Sequence, residues 1–182
     1  SGRLQAAVVV DIGGGSTELV LGREGRVRAS VSLDVGSVRL TERHLIDDPP
    51  GEAQIADVEH DVTTALARAQ IVTADAAGAT VIGVAGTITT LAGMTLGLDH
   101  YDSDRIDGAV LPVSAVEATI ARLVRMPRAE RVAIGVLHPG RIDVIAAGAI
   151  ILRTVLRRLD AAELTVSEHD ILDGIAATLA RP

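Results

Sequence analysis

The chain opens with a valine-rich apolar run over residues 6–12 that stops at Gly13-Gly14-Gly15 and resumes as a second strand-like run over residues 17–22. This pattern narrows the fold more than any other. A dinucleotide-binding fold and a Walker loop both need a helix directly after their glycines, so a strand in that place excludes them. Residues 26–33 then alternate Val27, Ala29, Val31 and Leu33 with polar neighbours, which predicts a third strand. Gly25 falls where a tight hairpin needs a residue of free φ. The opening is therefore expected to be a three-stranded antiparallel meander.

Helical spacing takes over after it. Residues 37–45 predict a short helix, and Pro49 and Pro50 mark the loop over 47–51. Ile55, Val58, Val62, Leu66 and Ala69 give a long alanine-rich helix over about 54–77. Residues 79–85 read as a short strand ending at Gly86, and 87–96 as a helix. The polar stretch 97–108 reads as loop. Ser114 with Glu117 predicts a capping box for a helix running to about 125, and Pro127 opens a further helical turn. His138-Pro139-Gly140 is a break, followed by an apolar helix over 142–159 whose Gly148 permits close packing. A strand over 163–167 and a helix over 171–180 complete the pattern. An antiparallel meander followed by alternating helices and strands predicts an α/β fold with a mixed sheet flanked by helices. That order resembles the ribonuclease-H-like unit from which actin-like proteins are built in pairs. All 182 residues are assigned to one such domain.

Composition excludes several functions. The net charge is −7, every one of the 17 cationic residues is arginine, and Tyr101 is the sole aromatic residue. A single-strand nucleic-acid binder needs a basic groove and stacking platforms, so nucleic acid is not an expected partner. With no cysteine there is neither a disulfide nor a thiolate-held metal. No apolar run reaches a membrane span and no signal-peptide layout appears, which predicts a soluble, cytoplasmic protein with no membrane partner.

The chemistry concentrates in Asp11-Ile12-Gly13-Gly14-Gly15-Ser16-Thr17-Glu18. Unobstructed glycine amides can form an anion cradle, to which Ser16 and Thr17 add hydroxyls. Carboxylates at Asp11 and Glu18 would repel a phosphate unless a cation such as Mg2+ lay between, or unless one of them positioned an attacking water. The alternative is a plain hairpin turn. Gly86-Thr87 is a second candidate, because a strand, a glycine and a helix start make an anion site, although Thr87 could equally be a cap. Arg39 and Arg141 could reach a polyanion or serve surface salt bridges. The five histidines show no metal-ligand spacing, and the acidic loop with Asp102, Asp104 and Asp107 lacks the placement of an EF-hand.

Residues 10–19 resemble the second phosphate motif of the exopolyphosphatase and guanosine pentaphosphate phosphatase (Ppx/GppA) family. Further segments are similar in order: Gly36-Ser37-Val38-Arg39-Leu40-Thr41-Glu42, residues 83–91, residues 141–148, and Val166-Ser167-Glu168 through Gly174. The resemblance implies an Mg2+-dependent phosphohydrolase acting between two actin-like domains on polyphosphate or guanosine pentaphosphate. It assigns phosphate binding to Gly13, Gly14, Gly15, Ser16, Thr17, Gly86 and Thr87, and metal or water to Asp11 and Glu18. The family's first domain, with its own phosphate loop and a glutamate serving as general base, has no counterpart segment here. This implies a chain that folds alone, hydrolyses little, and could form a homodimer through the apolar face left bare. A phosphate-ligand sensor without turnover and half of an actin-like kinase are the other classes compatible with the residues.

Overall fold

The computed structural model describes residues 6–73, 76 and 78–169. Strands β1 (Ala6–Ile12), β2 (Thr17–Arg23) and β3 (Arg26–Leu33) form the expected meander. Glu24 and Gly25 join β2 to β3 with φ of 54° and 79°, the doubly left-handed turn whose twist suits a two-residue hairpin. The sheet has six strands in the order β3-β2-β1-β4-β6-β5, where β4 is Thr80–Val84, β5 is Val110–Pro112 and β6 is Glu163–Val166. β1, β4 and β6 are mutually parallel, and the remaining pairings are antiparallel. β1 lies inside the sheet and is covered on both faces, so its sequence is a continuous apolar run rather than an alternating one.

Alternation along the strands separates two faces. Val8, Val10, Ile12, Leu19, Leu21, Val81 and Leu164 point into the main core, which they share with the helices. Ala7, Val9, Val20, Ile82 and Val84 form a second, smaller cluster on the opposite face. The main core is roofed by α1 (Ser37–His44), α2 (Glu52–Arg68), α4 (Ala85–Thr95), α6 (Val113–Leu123) and α8 (Ile145–Arg158). Among the described residues there are also three single α-helical turns, α3 (Gln70–Thr73), α5 (Ser103–Ile106) and α7 (Arg128–Arg131), and a 3-10 turn over Pro139–Arg141. α8 is buried on most sides, from Ile145 to Leu152 without interruption, because it packs against α1, α2, α4 and α6.

Several elements differ from the sequence reading. The polar stretch 97–108 contains α5, whose first turn is capped by Asp102 accepting from the Arg105 amide at 3.2 Å. β5 was not foreseen, since a three-residue edge strand has too few positions to show a period. It draws the start of α6 back to Val113 with Pro112 as the N-cap, so Ser114 forms no capping box. Glu117 instead accepts from Arg157 Nε at 2.6 Å, tying α6 to the last turn of α8. The long helix divides at Ala69 into α2 and α3. The helix expected over 171–180 lies outside the described residues. No helix among the described residues is long and apolar enough to cross a membrane.

Candidate functional site

β1 delivers the glycine loop to the N-terminal turn of α1, and that contact fixes the orientation of the loop. The Ser37 amide donates to Gly13 O at 2.9 Å, and the Val38 and Arg39 amides donate to Gly14 O at 2.9 and 3.1 Å. Arg39 Nε donates to Gly15 O at 2.8 Å. Three successive carbonyls therefore face α1. In a planar trans peptide the N–H points opposite to the C=O, so the amides of Gly14, Gly15 and Ser16 face away from α1. None of the three has a protein acceptor among the described residues. Helix amides thus occupy the carbonyl side of the loop and leave its donor side open, the arrangement that an anion cradle would need.

The carboxylates lie on that open side. Asp11 is registered opposite Glu18, and Glu18 opposite Ser32, so the three side chains share one face across β1, β2 and β3. Glu18 Oε1 accepts from Ser16 Oγ at 2.7 Å and from Ser32 Oγ at 2.8 Å, which orients the carboxylate before any ligand arrives. Among the described residues no group of three or more His, Asp or Glu side chains could hold a metal ion. Asp11 and Glu18 nevertheless fit Mg2+, which takes one or two carboxylates, keeps several waters and completes its shell with phosphate oxygens.

Not every predicted donor faces the ligand side. Thr17 is fully buried and its hydroxyl donates to Val35 O at 2.6 Å, so it fastens β2 to the segment before α1 and offers nothing to a phosphate. Thr87 is also buried, with its Oγ1 3.4 Å from Ile12 O, and acts as a joint between α4 and β1. The Ser16 hydroxyl does face the site, but its proton goes to Glu18. The second glycine site lies beside the first, because β4 runs parallel to β1 with Val84 next to Asp11. Ala85 opens α4 with φ of 66°, a left-handed value that alanine adopts at a cost of about 1 kcal/mol. The guanidinium of Arg141 lies directly on Gly86, and a Cβ there would overlap it. Any anion approaching the start of α4 therefore meets Arg141 first.

Neither Arg39 nor Arg141 has an acidic partner within 4.0 Å among the described residues: Arg39 is taken up by the carbonyl of Gly15, on the side of the loop away from its amides, and Arg141 lies over Gly86. Gly36 was quoted in the sequence only as part of a motif, yet it carries the contact between α1 and the loop. A Cβ at this position would lie 2.5 Å from Gly14 O, Gly15 C and Ser16 N. Its φ of −143° and ψ of 163° are ordinary extended values, so closeness and not conformation requires glycine. The signal available was a glycine immediately before a helix start. Gly148 meets its expectation: a Cβ there would approach Thr87 Cγ2 to 2.6 Å and Ser37 Cβ to 3.4 Å, so α8 touches both glycine sites. Tyr101 is 41% exposed, its hydroxyl donating to Glu168 Oε1 at 2.6 Å and lying 2.8 Å from Thr89 Oγ1 of α4. Burial and then the Glu168 carboxylate raise its pKa above the usual phenol value.

The mixed six-stranded sheet roofed by helices, with a glycine loop between its first two strands, is an architecture of the actin-like, ribonuclease-H-like class. The chain belongs to the Ppx/GppA phosphatase family, whose pattern it matches over residues 3–180. It is 44% identical over 177 residues to exopolyphosphatase 2 of Mycobacterium tuberculosis, covering 95% of this chain and 55% of that protein. The guanosine-5'-triphosphate,3'-diphosphate pyrophosphatase of Aeromonas salmonicida is 26% identical over 171 residues, covering 92% of this chain and 32% of that protein. A crystal structure of an exopolyphosphatase-like protein superposes with a TM-score of 0.88 at 40% identity, covering 94% of this chain and 58% of the other. The Aquifex aeolicus family member gives a TM-score of 0.83 at 30% identity, covering 96% and 56%. The actin-like fold expected from the element order is the fold of these neighbours. The chain spans about half the length of the curated relatives it matches first, at 55%.

Proposed function

We propose that this chain is one half of the active site of an Mg2+-dependent phosphohydrolase that removes the terminal phosphate from inorganic polyphosphate. The observation that carries the reading is the loop itself. Its three carbonyls are tied to α1, its three amides are turned out, and two carboxylates stand on the side the amides face. The amides of Gly14, Gly15 and Ser16 bind the oxygens of the terminal phosphate, and Arg141 neutralises charge at the start of α4. Asp11 and Glu18 are the residues that would hold Mg2+, which when bound draws charge from the phosphate oxygens. Glu18, fixed by Ser16 and Ser32, is also placed to orient an attacking water. On this reading the general base and the opposing wall are supplied by a second domain of the parent enzyme, for which the 55% coverage of exopolyphosphatase 2 leaves room. The relative at 44% identity is an exopolyphosphatase, which supports the polyphosphate reading, while an exopolyphosphatase 1 and the pyrophosphatase stand level at 26%.

The test is Mg2+-dependent phosphate release from long-chain polyphosphate by protein carrying both halves, with and without Glu18→Ala. Glu18→Ala is expected to lower kcat by about 10²-fold or more, the loss typical for a positioned acid–base group. An unchanged kcat would remove Glu18 from the reaction. Release from guanosine pentaphosphate alone would reassign the substrate, and release from neither would leave the sensor reading. This chain by itself is expected to turn over little polyphosphate, since it presents one wall of the site. Efficient turnover by it would show that the second wall is not needed.

A further inference from the structure

The three loop carbonyls are not held alike. Those of Gly13 and Gly14 are bound by main-chain amides of α1, with the Ser37 hydroxyl a further donor 3.3 Å from Gly13 O. Gly15 O has one donor among the described residues, Nε of the exposed Arg39 at 2.8 Å. Among the described residues the Gly15–Ser16 peptide is therefore the unit of the cradle whose carbonyl is held by a side chain alone. Its two ends differ in stiffness: Gly15 lets ψ vary widely, whereas Ser16 resists a left-handed φ. Without the Arg39 bond the peptide can rotate away from its present plane, and the Ser16 N–H then no longer points to the ligand side.

We infer that Arg39 is a positioning residue that sets the anion affinity of the loop by latching the Gly15–Ser16 peptide with its amide outward. The inference rests on the phosphate reading of the loop. The guanidinium acts from the carbonyl side of the peptide, opposite to the amides, so its contribution is the Nε hydrogen bond and not its charge. That distinction is testable through side-chain length. Glutamine places its Nε2 the same number of bonds from Cα as arginine places Nε, so Arg39→Gln retains the donor and loses the charge. Arg39→Lys retains the charge, but carries its donor one bond further out. Arg39→Met keeps the length and removes both.

Binding of inorganic tripolyphosphate with Mg2+ to this chain, measured by calorimetry, is the first readout. The second is the amide resonance of Ser16 in the ligand-free protein. Arg39→Met is expected to weaken binding about tenfold, the effect of losing the hydrogen bond from the Ser16 N–H to the anion, and to shift the Ser16 resonance. Arg39→Gln is expected to restore both to near the wild-type values. Wild-type affinity in Arg39→Met would overturn the inference. So would rescue by lysine but not glutamine, which would make Arg39 a direct phosphate contact acting by charge. If the unmodified chain fails to bind tripolyphosphate at all, the phosphate reading of the loop fails first and this inference with it.

Discussion

Gly36→Ala is expected to cost the loop its anion binding and to destabilise the protein by about 2 kcal/mol, the usual range for overpacking. For a chain of this length that lowers the melting midpoint by roughly 6 °C. The added Cβ would lie 2.5 Å from three atoms, Gly14 O, Gly15 C and Ser16 N, all of them main chain. No rotamer change can relieve a clash with backbone, so either α1 or the loop must move. Both movements break the bonds from Ser37, Val38 and Arg39 that orient the loop carbonyls. The check is a thermal melt beside tripolyphosphate calorimetry on the same sample. A variant with wild-type midpoint and affinity would show that α1 does not set the loop. Gly51→Ala is a suitable control, since a Cβ there meets nothing within 4 Å at the start of α2.

The second large effect is expected at Asp48, far from the loop in sequence and role. Arg131 is buried at 5% exposure, donates Nη1 to Met126 O at 2.8 Å, and pairs Nη2 with Asp48 Oδ1 at 2.7 Å. Its Nε is buried and has no hydrogen-bond partner among the described residues. Asp48 Oδ2 also accepts from the Arg128 amide at 2.7 Å, at the start of α7. Asp48→Ala would leave the guanidinium buried and uncompensated. Breaking a fully buried pair costs about 3–5 kcal/mol, and the partial exposure of Asp48 reduces this to about 2 kcal/mol. The Arg128 amide, followed by the charge and hydrogen bond of Arg131, outweighs desolvation and holds the Asp48 pKa below its usual 3.8. A depressed folded pKa gives stability that is present above the unfolded value and lost as pH falls through the folded one. The difference in melting midpoint between wild type and Asp48→Ala should therefore be full at pH 5 to 7 and shrink below about pH 4. Asp61, lowered first by its hydrogen bond to His44 and then by Arg43, contributes with the same sign. The variant will thus retain part of its acid sensitivity. A difference that stays constant down to pH 2 would remove Asp48 from the acid limb.

Much of the fold was legible where one period ran unbroken. The valine run of β1, the alternation of β3 and the apolar stripe of α8 each predicted their element to within a few residues. What escaped was decided by neighbours. β5 exists because β6 offers it an edge, and α6 starts where β5 ends rather than where Ser114 could cap it. At the site, the glycines and acids were legible as residue types, but the direction of the hydroxyls was not. Parity along β2 could have supplied it, because Thr17, Leu19 and Leu21 share a face while Glu18 alternates with them. The parts played by Gly36, Arg39 and Arg141 depend on contacts between segments 20 or more residues apart, roughly, which no local period carries.

The contact of α8 with both Ser37 and Thr87 at Gly148 has a thermodynamic meaning for whatever the two glycine turns bind. Each turn is anchored to the same helix, and that helix is sealed in the core from Ile145 to Leu152. The turns cannot drift apart without opening the interior, so their separation is settled when the chain folds. A ligand that bridges them needs to order neither with respect to the other. The free energy released at one turn is then not consumed in recruiting its neighbour, and on the proposed phosphate reading a ligand that met both would bind them as a single rigid site.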